Sequence, residues 1–393
     1  MKLAYVVPRY GLEVHAGAEH GARMLAERMS AEPGWSVEAL TTCATSAATW
    51  ENDYPPGTVD LNGVQVHRFP TTGPRDRRFA RLSDRVLPVP ETASSCDQET
   101  WIDMQGPRSP GLLDAVGATD ADVVVFYPYL YHPTVRGLPL VAGRSVMHPA
   151  AHDEPPIRLP LFRKVFAAAT ALVFQTYNER RLVERLFPVA STRQIVLGLG
   201  VEEHPGTTDA ARAALGLDHQ PYLLYVGRVD DGKGTTVLAR YFAAYKARRP
   251  GPLRLVLAGS VVHRPPAHPD VVLAGPVDEA TKWGALRGAT AFVMPSPFEA
   301  FSIAMMEAWT AGLPVLVNGA CRPTREHCER SGGGLWFDGY ASFEAAVDRL
   351  VADDHRARDQ LAVAGACYVR RHFAWPVLID RYRRFLEAVV SHR

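Results

Sequence analysis

A short apolar run, a glycine-bearing loop and an amphipathic helix open this chain, and the same triplet returns near residue 220. Leu3–Val7 is apolar and stops at Pro8, a loop runs from Tyr10 to Gly17, and Ala18–Met29 then sets Ala22, Leu25, Ala26 and Met29 on one stripe. That spacing is helical. In the second half Tyr222–Val226 reads as a strand, Gly227–Gly234 as a glycine loop and Thr235–Arg248 as a helix. An uninterrupted apolar strand followed by glycine and then helix is the building unit of a doubly wound parallel sheet.

Further strands are expected at Val37–Thr41, Val64–Phe69, Asp122–Tyr127 and Ala171–Phe174, the last followed by a helix from Asn178 to Leu186. Leu253–Ala258, Val271–Ala274 and Ala291–Met294 continue the second series. A chain of 393 residues holds two or three domains at roughly 100–200 residues each. Alternating β and α signals in both halves predict two open α/β domains rather than one large sheet. The glycines of Leu197–Val201 and His204–Gly206 mark a hinge, which divides the chain into 1–200 and 201–374. A tail helix over 375–393 carries Leu378, Ile379, Tyr382, Leu386 and Val389 on one side. That stripe needs a surface to cover, and the N-terminal domain is the expected one. Residues 70–110 read as a long loop with one basic helix, containing Arg75, Arg77, Arg78, Arg81 and Arg85.

Composition excludes several classes. Lys+Arg 43 against Asp+Glu 42 leaves a net charge of +1, too small for a chain held to nucleic acid by phosphate neutralisation. The 5 cysteines form no C-x-x-C pair, and a chain of this size needs no disulfide framework. The opening apolar run is too short for a signal peptide, and none approaches the ~20 residues of a membrane helix. A reduced, cytoplasmic protein without a transmembrane segment is the expectation.

Two segments concentrate chemistry. Gly227-Arg228-Val229-Asp230-Asp231-Gly232-Lys233-Gly234 falls one residue short of a phosphate-binding P-loop, because glycine stands where the Mg²⁺-holding hydroxyl should be. No strand ends in the aspartate that a nucleotide hydrolase would add. What survives is a glycine turn with two cations beside a helix start, a setting that suits a diphosphate. The second segment is Ser296-Pro297-Phe298-Glu299-Ala300-Phe301-Ser302-Ile303-Ala304-Met305-Met306-Glu307. Pro295 and Pro297 delay the helix, Ser302 is its expected N-cap, and Glu299 and Glu307 face the same end of the sheet. Read alone, such a pair is also what a helix start and a surface residue supply.

Taken together, Val226-Gly227-Arg228…Lys233-Gly234 and Pro295-Ser296-Pro297-Phe298-Glu299-x7-Glu307-Ala308 resemble the retaining glycosyltransferases of family 4, which have the GT-B fold. The early Gly17-Ala18-Glu19-His20, the middle Ala151-His152-Asp153-Glu154-Pro155 and the late Pro314-Val315-Leu316-Val317-Asn318-Gly319 fall in the family order. The resemblance implies two Rossmann-like domains facing across a cleft, a nucleotide-sugar donor and a hydroxyl acceptor such as a glycan, glycolipid or small molecule. It implies that Arg228 and Lys233 hold the donor diphosphate, with Gly227 in the same loop. Glu299 would bind the donor hexose, with Ala300, Phe301 and Ser302 beside it, and Glu307 the ribose. Gly17 would approach the phosphates and acceptor. His152 would lie beside the transferring sugar, with His148 a second possibility because the strand end near Ser145–Ala151 can be placed in two ways. Ala300 and Ser302 depart from the glycines of many relatives.

Asp120-Ala121-Asp122 sits at the start of a strand, the wrong end for a metal under a sugar nucleotide. The prolines around His148-x3-His152 break the helix that a zinc pair would use. No metal and no cofactor is expected. The arginine run at 75–85 suits a solvated face or lid, with peripheral docking to an anionic membrane or an acidic acceptor as the functional option. Another GT-B reaction, such as that of a sugar-nucleotide epimerase or phosphorylase, and non-catalytic binding of a sugar nucleotide are the alternatives.

Overall fold

The computed structural model describes residues 1–14, 17–352 and 355–391. The chain divides into two compact units, Met1–Leu199 with Leu378–Arg393, and Gly200–Val377. Both are parallel-sheet α/β domains, as the recurring triplet predicts. No helix among the described residues is long and apolar enough to cross a membrane.

The first unit has eight strands: β1 (Lys2–Val6), β2 (Ser36–Thr42), β3 (Gly57–Leu61), β4 (Val64–Phe69), β5 (Val123–Phe126), β6 (Ser145–Met147), β7 (Ala171–Phe174) and β8 (Arg193–Val196). Their order is β3-β4-β2-β1-β5-β6-β7-β8. All pairs are parallel except the β3–β4 hairpin. Val-Val-Val-Phe of β5 and Ala-Leu-Val-Phe of β7 are buried throughout, as strands covered by helices on both faces must be. Phe126, Met147, Phe162, Phe166 and Phe174 belong to one continuous core on one side of this sheet.

The second unit carries β9 (Tyr222–Val226), β10 (Arg254–Ala258), β11 (Val271–Gly275), β12 (Ala291–Met294), β13 (Val315–Asn318) and β14 (Gly334–Phe337). They run in the order β11-β10-β9-β12-β13-β14, all parallel. The order reverses between β9 and β12 here, and between β1 and β5 in the first sheet. Ligands of open α/β sheets bind outside the carboxyl ends of the strands at such points. Both chemistry-bearing segments of the sequence leave the carboxyl ends of β9 and β12.

Three elements differ from expectation. Residues 70–110 are not one long loop with a single helix: helices Phe79–Val86 and Ser95–Gln105 flank a short 3₁₀ turn at Pro90–Thr92. Ser94 caps the second helix by accepting from Asp97 N, and Trp101 packs on Phe79 with ring centroids 5.5 Å apart. β3 was not expected; it pairs with β4 through Asn62-Gly63, whose φ values of 52° and 82° are those of a tight hairpin turn. β8 lies just before the glycine stretch read as a hinge. Its residues are exposed or half-buried, so it lacks the apolar run of its neighbours.

The tail helix is Trp375–Val390. Leu378, Tyr382 and Leu386 are fully buried, and from Leu378 onward the helix clusters with the first unit. The Tyr382 hydroxyl lies 3.3 Å from that of Tyr5 and 2.9 Å from His148 Nε2. Burial pushes the His148 imidazole down to about 3, and does the same to His327 in the second unit, again to about 3, with Arg330 adding to the effect.

Both imidazoles are neutral when folded and protonate near their ordinary value of about 6.5 when unfolded. Between roughly pH 6.5 and pH 3 the unfolded chain therefore binds more protons. Stability rises with pH across that window and is lost as pH falls below about 6.5. Thermal unfolding from pH 7 to pH 4 should show this fall, and His148→Gln should shallow the slope. An equal slope in the variant would remove His148 as a cause.

Candidate functional site

At the end of β9 the chain turns through Gly227–Gly234. Gly227 N donates to Ala258 O at 2.9 Å and Val229 N to Ser260 O at 2.9 Å, so the turn is laced to the strand beside it. Asp230 organises the second half of the turn. Its Oδ1 accepts from Lys233 N at 2.7 Å and its backbone oxygen from Thr235 Oγ1 at 2.9 Å, while its Oδ2 pairs with Arg228 Nε. Burial of the Asp230 carboxyl is outweighed by Arg228 and the Lys233 amide, which hold it below its ordinary value. Gly234 ends the turn in the left-handed region, φ 74°, and begins helix Thr235–Arg248 with no side-chain cap. The first N–H groups of that helix point to the same end of the sheet as Lys233.

At the end of β12 the second loop runs to Ser302. Asn318 Nδ2, from β13, donates to Pro295 O at 2.9 Å, and Ser296 Oγ donates to Phe298 O at 2.9 Å. The two loops meet where Lys233 Nζ donates to Glu299 Oε1 at 2.7 Å. An ammonium has three protons to donate, so those not given to Glu299 remain for a ligand. Glu307 sits one step further in, on helix Ile303–Thr310. Its Oε1 accepts from Lys282 Nζ at 2.8 Å, and Lys282 also pairs with Glu279 at 2.9 Å. Glu307 Oε2 has no hydrogen-bond partner among the described residues. Lys282 is pulled down by burial but held above its ordinary value by Glu307 and Glu279.

Ser302 stands at the N-cap position but does not cap. Its φ is 70° and it makes no cap hydrogen bond; its hydroxyl is buried without a partner among the described residues. Glycine, usual here in relatives by the family resemblance, adopts this backbone without the cost that a Cβ brings. Phe301 turns its ring away into the core, against His327 at 5.2 Å and Phe373 at 5.1 Å, so only its backbone is available to a donor. Ala300 is half-buried beside Glu299. Phe298, not singled out by sequence, is 59% exposed on the same loop. Asp230 and Lys282 were also missed: the D-x-x-K-G spacing hints at the Asp230 turn, but nothing in sequence joins Lys282 to Glu307.

In the first unit, His148 is 2% exposed, closed in by Tyr382 and stacked on Tyr127 with ring centroids 5.0 Å apart. It is a core residue, which corrects its expected place near the sugar. His152 is half-buried, and its Nδ1 has no hydrogen-bond partner among the described residues. Between the two, Ala150 takes φ 50°. Glu179 anchors this bend: its Oε1 accepts from Ala151 N at 2.8 Å and its Oε2 from Gln175 N at 2.6 Å. Burial pushes the Glu179 carboxyl up to about 7, opposed by the backbone N–H groups that it accepts. Gly17 opens helix Gly17–Ser30, and a Cβ there would meet nothing within 4 Å. Packing within the unit therefore does not demand glycine at 17. Residues 15 and 16 of the expected loop lie outside the described residues. Glu19, in the first turn, pairs with Arg9 in a buried bridge, Arg9 Nε to Glu19 Oε1 at 2.9 Å.

No group of three or more His, Cys, Asp or Glu side chains among the described residues could hold a metal ion. Asp122 accepts from Lys2 N at 2.7 Å, and Asp120 pairs with the Lys2 side chain.

Residues 220–353, which contain Arg228, Lys233, Glu299 and Glu307, match the family described as Glycosyl transferases group 1. Residues 220–353 thus form a group 1 glycosyltransferase domain. D-inositol 3-phosphate glycosyltransferase 1 of Catenulispora acidiphila is 29% identical over 403 aligned positions, covering 92% of this chain and 89% of the relative. Three further D-inositol 3-phosphate glycosyltransferases are matched over 52–65% of their own length. Among solved structures, a sucrose-phosphate synthase from Thermosynechococcus elongatus superposes with a TM-score of 0.71 at 16% identity, covering 100% of both chains. Anabaena HepE, in complex with UDP and glucose, gives 0.70 at 14% identity, covering 99% of this chain and 100% of that one. The glycosyltransferase thus has the GT-B fold expected from its motifs.

Two substitutions separate backbone demand from chemistry in this glycosyltransferase. A Cβ on Gly234 would lie 2.5 Å from Pro295 O, so Gly234→Ala should destabilise the second unit by more than about 1 kcal/mol. Ser302→Gly should be neutral or stabilising by up to about 1 kcal/mol, since relief of the left-handed serine offsets the entropy of an added glycine. Urea unfolding of both variants gives the order; a Gly234→Ala protein as stable as the parent would contradict the close-approach argument.

Proposed function

We propose that this glycosyltransferase moves a hexosyl group from a nucleoside diphosphate sugar to an acceptor hydroxyl with retention of anomeric configuration. The Lys233–Glu299 contact of 2.7 Å at the β9/β12 switch point carries the reading. It sets a cation for the diphosphate against a carboxylate for the sugar, beside an uncapped helix start.

The chemical task is departure of the nucleoside diphosphate from the anomeric carbon. Negative charge grows on the leaving phosphate oxygens. Arg228, Lys233 and the first N–H groups of helix Thr235–Arg248 are fixed where that charge develops, and such preorganised donors lower the barrier. Glu299 takes hydroxyls of the hexose, and the open oxygen of Glu307 takes those of the ribose. His152, with its free ring nitrogen, is the first-unit group assigned to the sugar. Retention follows when the acceptor enters on the face from which the nucleotide leaves, so no side chain is assigned as a nucleophile. The neighbour solved with UDP and glucose makes a uridine donor the first to test. The cationic pair supplies the charge that a divalent ion would otherwise bring, so no metal is required in this reading.

Incubation with UDP-hexoses and a panel of hydroxyl acceptors, followed by NMR of the product, should show acceptor-dependent nucleotide release and the donor's own anomer. An inverted product would overturn retention, and release independent of acceptor would point to another reaction. Lys233→Ala should lower kcat by about 10²-fold or more, the scale of a lost transition-state donor. A variant with unchanged kcat and only a raised KM would assign Lys233 to ground-state binding. Turnover should persist in excess chelator; loss that Mg²⁺ or Mn²⁺ restores would refute the metal-free mechanism.

A further inference from the structure

Lys282 reaches the second unit's site from an element to which neither of the two loops belongs. Helix Glu279–Gly288 follows β11 and helix Ile303–Thr310 follows β12, so both start at the carboxyl end of the sheet. Asp278 caps the first of them by accepting from Thr281 N at 2.8 Å. Trp283, Gly284, Ala285 and Leu286 are buried, and Thr207 and Ala211 leave no room for a Cβ on Gly284. The helix is therefore fixed in rotation, and the residue before Trp283 is delivered to Glu307.

A surface lysine three residues after a glutamate is satisfied by that glutamate alone. Lys282 does more. Its Nζ pairs with Glu279 Oε2 at 2.9 Å and also reaches inward to Glu307 Oε1 at 2.8 Å. The Glu279 side chain is 57% exposed, whereas those of Lys282 and Glu307 are 13% and 14% exposed. The inner contact thus carries a desolvation cost that the outer one does not. Position adds to it, because a cation near a helix start opposes the helix dipole. An apolar side chain of similar length would fill the same gap without either cost. Packing of the two helices therefore does not account for an ammonium here.

The pair leaves two complementary groups open. An ammonium has three protons to donate, and Glu279 and Glu307 take two of them. Glu307 Oε2 has no hydrogen-bond partner among the described residues. One donor and one acceptor therefore stand side by side, joined through a single contact of 2.8 Å. Two hydroxyls on neighbouring ring carbons match them: one donates to the carboxylate oxygen, and the other accepts from the ammonium. A lone carboxylate takes either hydroxyl of a diol and tolerates loss of the other. A carboxylate with an ammonium beside it uses both.

We propose that Lys282 is a second ribose-binding residue, whose ammonium donates to one of the two ribose hydroxyls while Glu307 accepts from the other, so that the enzyme selects ribonucleoside diphosphate donors over their 2′-deoxy and 3′-deoxy forms. This rests on the reading that Glu307 holds the donor ribose.

Calorimetric titration with UDP, GDP, ADP and dTDP identifies the tightest ribonucleotide, and its 2′-deoxy and 3′-deoxy forms then give two affinity ratios. Both ratios should be about tenfold or more in the parent, the scale of a lost hydrogen bond to a charged group, and dTDP should bind weakly. Lys282→Met should bring one ratio close to one and leave the other standing. Each ratio compares two ligands on one protein, so a variant that merely loosens the site weakens both ligands and leaves the ratio unchanged. Lys282→Gln, which keeps a neutral donor, should give an intermediate ratio at the same hydroxyl and supplies the test if the Met variant does not fold. Ratios equal to the parent's in the Lys282 variants would overturn the proposal. So would loss of both ratios in Lys282→Met, which would make Lys282 only the group that orients Glu307, and so would tighter binding of dTDP than of any ribonucleotide. The underlying reading fails separately. If the parent binds no nucleotide or shows neither preference, or if Glu307→Gln leaves both ratios intact, Glu307 does not hold the ribose and this proposal falls with it. Ratios kept in Lys282→Met but lost in Glu307→Gln would uphold that reading and remove Lys282 alone.

Discussion

The carbonyl oxygen of Pro295 is the point on which the second unit's site converges. Gly234 approaches so closely that a Cβ there would stand 2.5 Å from this oxygen, and Asn318 Nδ2 donates to it at 2.9 Å. The segments following β9 and β12 and the last residue of β13 are thereby brought to one atom with no bulky side chain between them. Gly234 can serve because its φ of 74° costs a glycine little. The residue before it, Lys233, is then delivered to Glu299, and helix Thr235–Arg248 begins where its free N–H groups can meet an anion. Geometry of the backbone comes first here, and the ionic contact is its consequence.

The charged groups of that site are already paired before any ligand enters. Lys233 is on Glu299, Arg228 on Asp230, and Lys282 on Glu307. Pairs that are partly exposed add little to stability, so their value lies in orientation: each holds a long side chain in one rotamer, and less freedom is then lost on binding. The first unit shows a different arrangement at Arg75, whose guanidinium is ordered by Gln105, Trp50 and Phe79 and has no ion pair among the described residues.

Much of the fold was legible because buried parallel strands are written as unbroken apolar runs. Val64–Phe69, Ala171–Phe174, Tyr222–Val226 and Ala291–Met294 are strands with the limits that their runs imply. What was not legible lies where tertiary contacts replace pattern. Helix Ser95–Gln105 has only Trp101 and Ile102 as large buried apolar side chains, too few to show a helical period. β8 is an edge strand with half-exposed residues. The arginines at 75–85 read as one basic feature, but Asp76 and Asp97 remove two of them from it, and no spacing rule reveals which charges will find partners.

The histidines show the same limit at the level of one side chain. In sequence His152 is the first candidate and His148 the second, because β6 could have ended at several residues between Ser145 and Ala151. The strand stops at Met147, which leaves His148 in the core against Tyr382. Ala150 then reverses direction with φ 50°, a conformation costing roughly 1 kcal/mol or more for a non-glycine residue. Something must hold it, and Glu179 does so through the Ala151 amide. Thr176-x-x-Glu179 is a capping box by its spacing, and Thr176 indeed accepts from Glu179 N at 3.1 Å. The local half of that motif was readable. Its second use, fixing the bend that separates a core histidine from a half-exposed one, exists only because β7 lies beside β6 in the sheet. The different burial of the two histidines therefore depends on strand order and on a carboxylate on a neighbouring helix, neither of which the histidine segment itself contains.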